Sequence, residues 1–577
     1  MPDDDADDDL QAVLKNMQEI SIKNKAEPDL SYEEVYPCLA RNEFKFGKLV
    51  FSSKFDSGNM LKVTKIKAWE YDIESCLDCE GTANVTTYSS WFHFSISGAE
   101  AGEEITIRIV NLNKHPGLYD NDMRPVFKSY PSQRKWERIR SILKHQVVDK
   151  RSVIRFTHKF QRSNERVHFA FCYPYTYTEL QRKLTDMENK YSGDNESIYY
   201  HRELLTRSLD KRRIDLITIS SVDGITDQRE DFIPLLFPTK SERALRFQNK
   251  RVVFISARIH PGETPASHVL DGILEFLQRR DDPRATALRQ EFVFKIIPML
   301  NPDGVARGHY RTDTNGLNLN RVYQNPSFEA HPSVYAAKQV VLYLHAKNDL
   351  VMYLDLHAHA SKRGCFIYGN KLDSVQDQVS TQLYPKLVGL NSCYFEYDQC
   401  NFTEKNMKSK DLRDKGVSKE GSGRVALYRE TKMVHVYTME CNYNMGRHAR
   451  GTPNAGGSHS GRASPGVTKR SYVPKYTAEN WQDVGKGLAI AILDLYQMNP
   501  WSRVEQSEFR SHSGLRKAIE ASVIKSQVAS AAADESKRRN IGRKQGSKAL
   551  LVQQKRNSRR KLPGKNQVLF PDNSQFN

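Results

Sequence analysis

From about residue 176 to 500 the chain alternates between short apolar runs and longer helical ones, and this alternation narrows its fold more than any other feature. RVVFISARI, FVFKIIPML, LVMYLDL and MVHVYTME read as strands. ASHVLDGILEFLQRR, SVYAAKQVVLYLHAK and AENWQDVGKGLAIAILDLYQM read as helices between and after them. Apolar strands separated by helices imply an α/β domain, a mostly parallel or mixed sheet flanked by helices on both faces.

The chain before it has a different texture. Residues 43–175 carry β-prone runs such as KLVFSSKF, NVTTYSSWFHFSISG and EEITIRIVNL, punctuated by DSGN and LYDNDMRP. An all-β sandwich domain fits this spacing. YTELQRKLTDMENKY then reads as a helix leading into the second domain. Residues 1–42 are acidic and are expected to be disordered, as is the basic, polar tail at 501–577. An insert rich in Gly, Ser, Pro and Arg at 447–475 reads as a mobile loop within the α/β domain.

Charge points to the partner. The formal net charge is +18, and it is unevenly spread: about −8 on residues 1–36, about +11 on 501–577 and about +15 on the body. A basic body favours acidic partners: nucleic acid, an anionic membrane or polyanionic protein tails. No run of about 18 apolar residues occurs, which argues against a membrane span. The amino-terminal MPDDDADDDL has neither a basic start nor an apolar stretch, so a secretory signal is not expected. The eight cysteines are scattered and are read as reduced thiols of a cytosolic protein; Cys76 and Cys79, a lone CxxC, read as a pair without metal.

Chemistry concentrates at the ends of the predicted strands, where open α/β sheets bind ligands. HPGE (His260 to Glu263) follows the first strand directly and offers an imidazole and a carboxylate three residues apart, both good zinc ligands. Thr264 and Pro265 mark the start of the next helix as N-cap and first helical residue. A catalytic zinc takes a third protein ligand, and His357 at the close of VMYLDLH fits; His359 competes if the strand continues. NPDG (Asn301 to Gly304) reads as a turn, and the following RGHYRTDTNGLNLNR gathers Arg311, Asn320 and Arg321. Guanidinium groups suit bidentate capture of a carboxylate, although an ordinary polar loop is the plainer reading. Glu440 closes MVHVYTME and can serve as a general base, or simply as a capping or salt-bridging glutamate.

The series HPGE, NPDGVARGHYRTDTNGLNLNR, DLHAH and YTMECNY resembles the zinc carboxypeptidase family, and within it the cytosolic carboxypeptidases. FSSKFDSGN and WFHFSISG resemble that subfamily's amino-terminal β-sandwich, and the wording is most similar to its type five branch. The resemblance implies a carboxypeptidase-like mixed sheet and one zinc ion held by His260, Glu263 and His357. It further implies Glu440 as general base, Arg311 as the group stabilising the oxyanion, and Asn320 with Arg321 as the clamp on the terminal carboxylate. It places Arg424 in the wall of the side-chain pocket, where it would select glutamate, with Lys419 as a weaker candidate. Two departures stand out. GVSKEGSG lacks the mobile tyrosine of digestive relatives, and Asn318 stands where many relatives have an aspartate buttressing a zinc histidine.

The implied function is removal of glutamate from acidic protein tails such as glutamylated tubulin, in the cytoplasm, with nucleic acid not expected as the main partner. Two other readings remain: an amidohydrolase of small N-acyl amino acids on the same fold, and a non-catalytic microtubule or nucleic-acid binder. The latter would use the basic clusters Lys537–Arg539 and Arg559–Lys561, which could equally serve nuclear import.

Overall fold

A computed structural model describes residues 41–529 apart from 134, 192–196, 240–242, 412–415, 457–465 and 467–471. The expected disordered segment up to residue 40, much of the 447–475 insert and the basic clusters at 537–539 and 559–561 lie outside these residues.

The first 130 or so described residues form two sheets. One has six strands, in the order Glu43–Phe46, Leu49–Ser52, His93–Ser97, Arg166–Ala170, Val126–Tyr130, Glu137–Arg138. The other has five: Lys62–Lys67, Glu70–Glu74, Glu104–Leu112, Arg151–Lys159, Lys144–Val148. Strand Glu104–Leu112 explains the packing: Ile105, Ile107 and Ile109 alternate inward and are fully buried, as a strand with one face on a core requires. Aromatic rings join the two sheets, with Phe51 against Tyr71 at 4.9 Å and Phe169 against Phe156 at 6.1 Å. This is the sandwich expected from the turn spacing.

Seven strands build the larger sheet: β1 Tyr199–Arg207, β2 Arg213–Ser220, β3 Arg251–Ala257, β4 Phe292–Ile297, β5 Leu350–His359, β6 Cys365–Tyr368 and β7 Val436–Asn442. Their order is β1-β2-β4-β3-β5-β7-β6. The inner four are parallel, while β1, β2 and β6 run antiparallel to their neighbours. The main helices of this part are α1 Tyr177–Tyr191, α2 Pro265–Leu277, α3 Pro283–Glu291, α4 Pro332–Ala346, α5 Val375–Asn391, α6 Gly423–Thr431 and α7 Ala478–Leu495. Val334, Val341 and Leu344 of α4 and Leu427 of α6 share one buried cluster with Phe254, Tyr353 and Val436 of the sheet. On the other side α7 packs against α2, α3 and α5. Helix α2 is apolar nearly all round and is accordingly buried along almost its whole length.

Thr264 holds its expected place, and two other local expectations are corrected. Thr264 sits at the N-cap of α2, but its side chain makes no capping bond. NPDG is not a plain turn: Pro302–Ala306 is a one-turn helix capped by Asn301, whose side chain accepts from the Gly304 amide. Strands β5 and β7 each run on two residues past His357 and Glu440, to His359 and Asn442. The described residues up to 516 form one compact unit and a second begins at Lys517, with helix over 517–529. Among the described residues no helix is long and apolar enough to cross a membrane.

Candidate metal centre and active site

The carboxyl ends of β3, β5 and β7 lie side by side, so the residues that close each strand, or come directly after it, converge on one place. After β3 the chain turns through Arg258, which has a left-handed φ of 57°. Its buried guanidinium donates to the Pro261 carbonyl at 2.6 Å and to the Tyr175 carbonyl at 3.0 Å. That fixes the turn carrying His260 and Glu263. His357 comes from β5 and sits opposite Glu440 of β7 in register.

His260, Glu263 and His357 are buried, and their donor atoms lie within 4.8 Å of one another. Nδ1 of His260 is 2.8 Å from Glu263 Oε1, and Nδ1 of His357 is 2.9 Å from Glu263 Oε2. Outer partners fix both rings. His260 Nε2 donates to Asn318 Oδ1 at 2.9 Å, and His357 Nε2 donates to Asp355 Oδ2 at 2.7 Å. Both Nδ1 atoms are thereby turned inward, the side a metal would occupy. His260 is buried, and burial holds its imidazole below its ordinary pKa. Burial also disfavours charge on His357, but Asp355 and Glu263 outweigh it and hold the imidazole well above its usual range. One carboxylate and two imidazoles focused on one point fit a dication such as zinc. His359 shares the His357 face but takes a different part: its Nδ1 accepts from the Lys362 amide at 2.9 Å.

A cavity of about 530 Å³ opens over these groups. Arg311, Asn320, Arg321, Lys419, Arg424 and Glu440 all line it. Arg311 Nη1 is 3.8 Å from Glu263 Oε1. Asn320 accepts from the Gly423 amide through Oδ1 at 3.0 Å, and Arg321 Nη1 donates to the Asn320 carbonyl at 2.7 Å. Glu440 is half-buried, its Oε2 is buried and unpartnered, and burial pushes its carboxyl up to about 7. The charge of a bound dication acts in the opposite direction.

Arg424 is 3% exposed at the start of α6. Its nitrogens donate to the Gly369 carbonyl, to Asn370 Oδ1 at 2.7 Å and to Asn406 Oδ1 at 2.8 Å, all neutral acceptors. It makes no ion pair among the described residues, and burial lowers its pKa to about 10.

Several residues of the site escape sequence reasoning. Asp355 buttresses His357 in the way an aspartate at position 318 would buttress His260; the D-x-H spacing on one strand face was its signal. Tyr368 of β6 lines the same cavity, from an edge strand rather than from the segment before Arg424. The sandwich domain supplies another wall, through Tyr88, Asn113, Lys114 and His115. Cys76 and Cys79 are buried, and Cys79 Sγ donates to the Asp313 carbonyl at 3.2 Å; among the described residues they join no metal cluster.

Comparison with known proteins agrees with this geometry. A family model described as zinc carboxypeptidase matches residues 193–392, which hold the three metal-site residues together with Arg311, Asn320 and Arg321. Another, the cytosolic carboxypeptidase N-terminal domain, matches residues 51–172. The chain is 38% identical to cytosolic carboxypeptidase-like protein 5 of Rattus norvegicus over 82% of its own length and 71% of the relative's. With the Homo sapiens protein of that name it shares 38% identity over 82% of this chain and 66% of the relative. Homo sapiens cytosolic carboxypeptidase 6 is 32% identical over 79% of this chain and 80% of that protein. Among solved structures, a metallo-carboxypeptidase from Burkholderia cenocepacia shares the fold at a TM-score of 0.56 and 19% identity, covering 78% of this chain and 99% of that one. The chain belongs to the cytosolic carboxypeptidase family of zinc carboxypeptidases, and its class is that of a metallocarboxypeptidase.

Proposed function

We propose that this enzyme removes glutamate from acidic protein tails, with glutamylated tubulin as substrate, including side-chain polyglutamate and the branch-point glutamate. Arg424 carries the reading. A buried cation whose hydrogen-bond acceptors among the described residues are all neutral, facing a cavity, is best satisfied by a substrate carboxylate. The basic body supports an acidic partner, and a cytoplasmic, microtubule-associated setting would supply one.

The division of labour follows from position. Asn320 and Arg321 hold the free α-carboxylate of the departing residue, so only a chain end or a branch end binds. Arg424 receives the glutamate side chain. Arg311, beside Glu263, faces the scissile carbonyl and stabilises the charge that develops on its oxygen, an effect of roughly 3 kcal/mol per donor in comparable sites. His260, Glu263 and His357 would hold the zinc, which would supply Lewis acidity toward that carbonyl and the attacking water. Glu440 takes the proton from the attacking water and returns it to the leaving amine nitrogen.

The test is glutamate release from a branched γ-linked glutamyl peptide by the wild type and by Glu440→Gln at equal zinc content. The wild type should release glutamate, and the variant should be slower by a factor on the order of 10³. Zinc-loaded wild type that releases none, yet hydrolyses an N-acyl-aspartate, would replace the reading with the small amidohydrolase.

A further inference from the structure

The segment that carries Arg311 is held by its own domain, where Asn301 Nδ2 donates to the Thr312 carbonyl, and also by the sandwich. Asp78, in the CLDCEG loop, is 1% exposed. Its carboxylate accepts three successive backbone amides: Tyr310 at 2.6 Å, Arg311 at 2.8 Å and Thr312 at 2.9 Å. The Thr312 hydroxyl adds a fourth bond at 3.2 Å. Three amides of consecutive residues pointing at one carboxylate form an anion nest, and that fixes the backbone torsions of all three. Neighbours tighten the grip. Asn59 Nδ2 donates to the Gly308 carbonyl at 2.8 Å, and the Cys79 amide donates to His309 Nε2 at 3.3 Å. Gly308, at φ 72°, leaves room for the Gly58 carbonyl where a Cβ would approach to 2.6 Å. On the cavity side, the Arg311 guanidinium lies 5.8 Å from the centre of the Tyr88 ring, within cation–π range.

We infer that Asp78 is a positioning residue for catalysis: it presents Arg311 to the scissile carbonyl, so that the sandwich domain completes the active site. The inference rests on the reading of Arg311 as the oxyanion-stabilising group. Asp78 touches none of the reacting atoms and works through the segment Tyr310–Thr312 that carries Arg311. An asparagine in its place keeps one acceptor oxygen but turns an NH2 toward an amide donor, and the buried negative charge that attracts three N–H dipoles is lost. A displacement of about 1 Å at a catalytic group can cost on the order of 100-fold in rate.

The experiment is a double-mutant cycle on the zinc-loaded full chain: wild type, Asp78→Asn, Arg311→Ala and the double variant, each assayed for glutamate release and zinc content. Asp78→Asn should lower kcat roughly 10- to 100-fold while KM and zinc content stay within about a factor of two. In the Arg311→Ala background the same change should cost almost nothing, because the group it positions is gone. Thr312→Val, a milder loss from the same nest, should show a smaller fall in kcat with the same dependence on Arg311, and it decides the matter if Asp78→Asn does not fold. Equal losses from the Asp78 and Thr312 changes with and without Arg311 would overturn the inference and leave the reading of Arg311 intact. Wild-type kcat in Arg311→Ala would overturn that reading, and this inference with it.

Discussion

Arg424 is a cation withdrawn from water whose hydrogen-bond acceptors among the described residues are all neutral, and under the proposed function substrate choice turns on this one side chain. Leaving a buried substrate carboxylate unpaired costs about 3 kcal/mol or more, roughly a 100-fold loss in binding. Arg424→Leu should therefore lower kcat/KM for glutamate-terminated peptides by on the order of 100-fold, and narrow the preference for glutamate over leucine in a competition assay. Arg424→Lys keeps the charge without the planar fork and should fall between the two. An unchanged preference in both variants would remove Arg424 from the specificity pocket. At this scale the sequence was informative wherever a motif was contiguous. HPGE holds two of the three converging groups within four residues, and DLH holds the third beside its buttress Asp355. That Arg424 meets only neutral acceptors among the described residues was not legible, since it depends on every chain segment that passes nearby.

Among the elements, α2 and α7 come closer than ordinary side chains allow. A Cβ on Gly272 would sit 2.0 Å from the Gln482 carbonyl, and one on Gly485 would sit 2.0 Å from the Val269 carbonyl. A glycine in an exposed helix costs up to about 1 kcal/mol relative to alanine, so Gly485→Ala would stabilise a free helix. Here overpacking reverses the sign, and the variant should lose about 1–3 kcal/mol in denaturant unfolding. Turnover per folded, zinc-loaded molecule should stay near wild type; greater stability would mean that the helices separate at little cost. The four strands legible as apolar runs are the four parallel ones, β3, β4, β5 and β7, because a parallel strand covered on both faces must be apolar throughout. The antiparallel strands were not singled out. β1 (YYHRELLTR) interrupts its apolar run with charge, and β6 (CFIY) is only four residues long. Helix α5 was missed for a similar reason: Pro385 sits inside it, where sequence argues for an end.

For the whole molecule, the basic residues beyond 529 and the catalytic cavity are separable in the chain. Removing 530–577 should leave turnover of a short glutamyl peptide unchanged while weakening binding to a polyanion and flattening its salt dependence, since fewer cations remain to attract it. Loss of peptide turnover would tie the tail to the active site. The sequence by itself determined the residue types of the candidate metal site, their order along the chain and the sheet whose strand ends gather them. Those features are local: an apolar run marks a buried strand, and a motif at its end inherits that strand's position. Only the tertiary structure decided that the sandwich forms a wall of the cavity, that Tyr368 reaches it from an edge strand, and that Asp78 grips Arg311 across 233 positions of sequence. Contacts of that span arise when two separately formed surfaces pack, and no periodicity or spacing within either segment records which surface the other will meet.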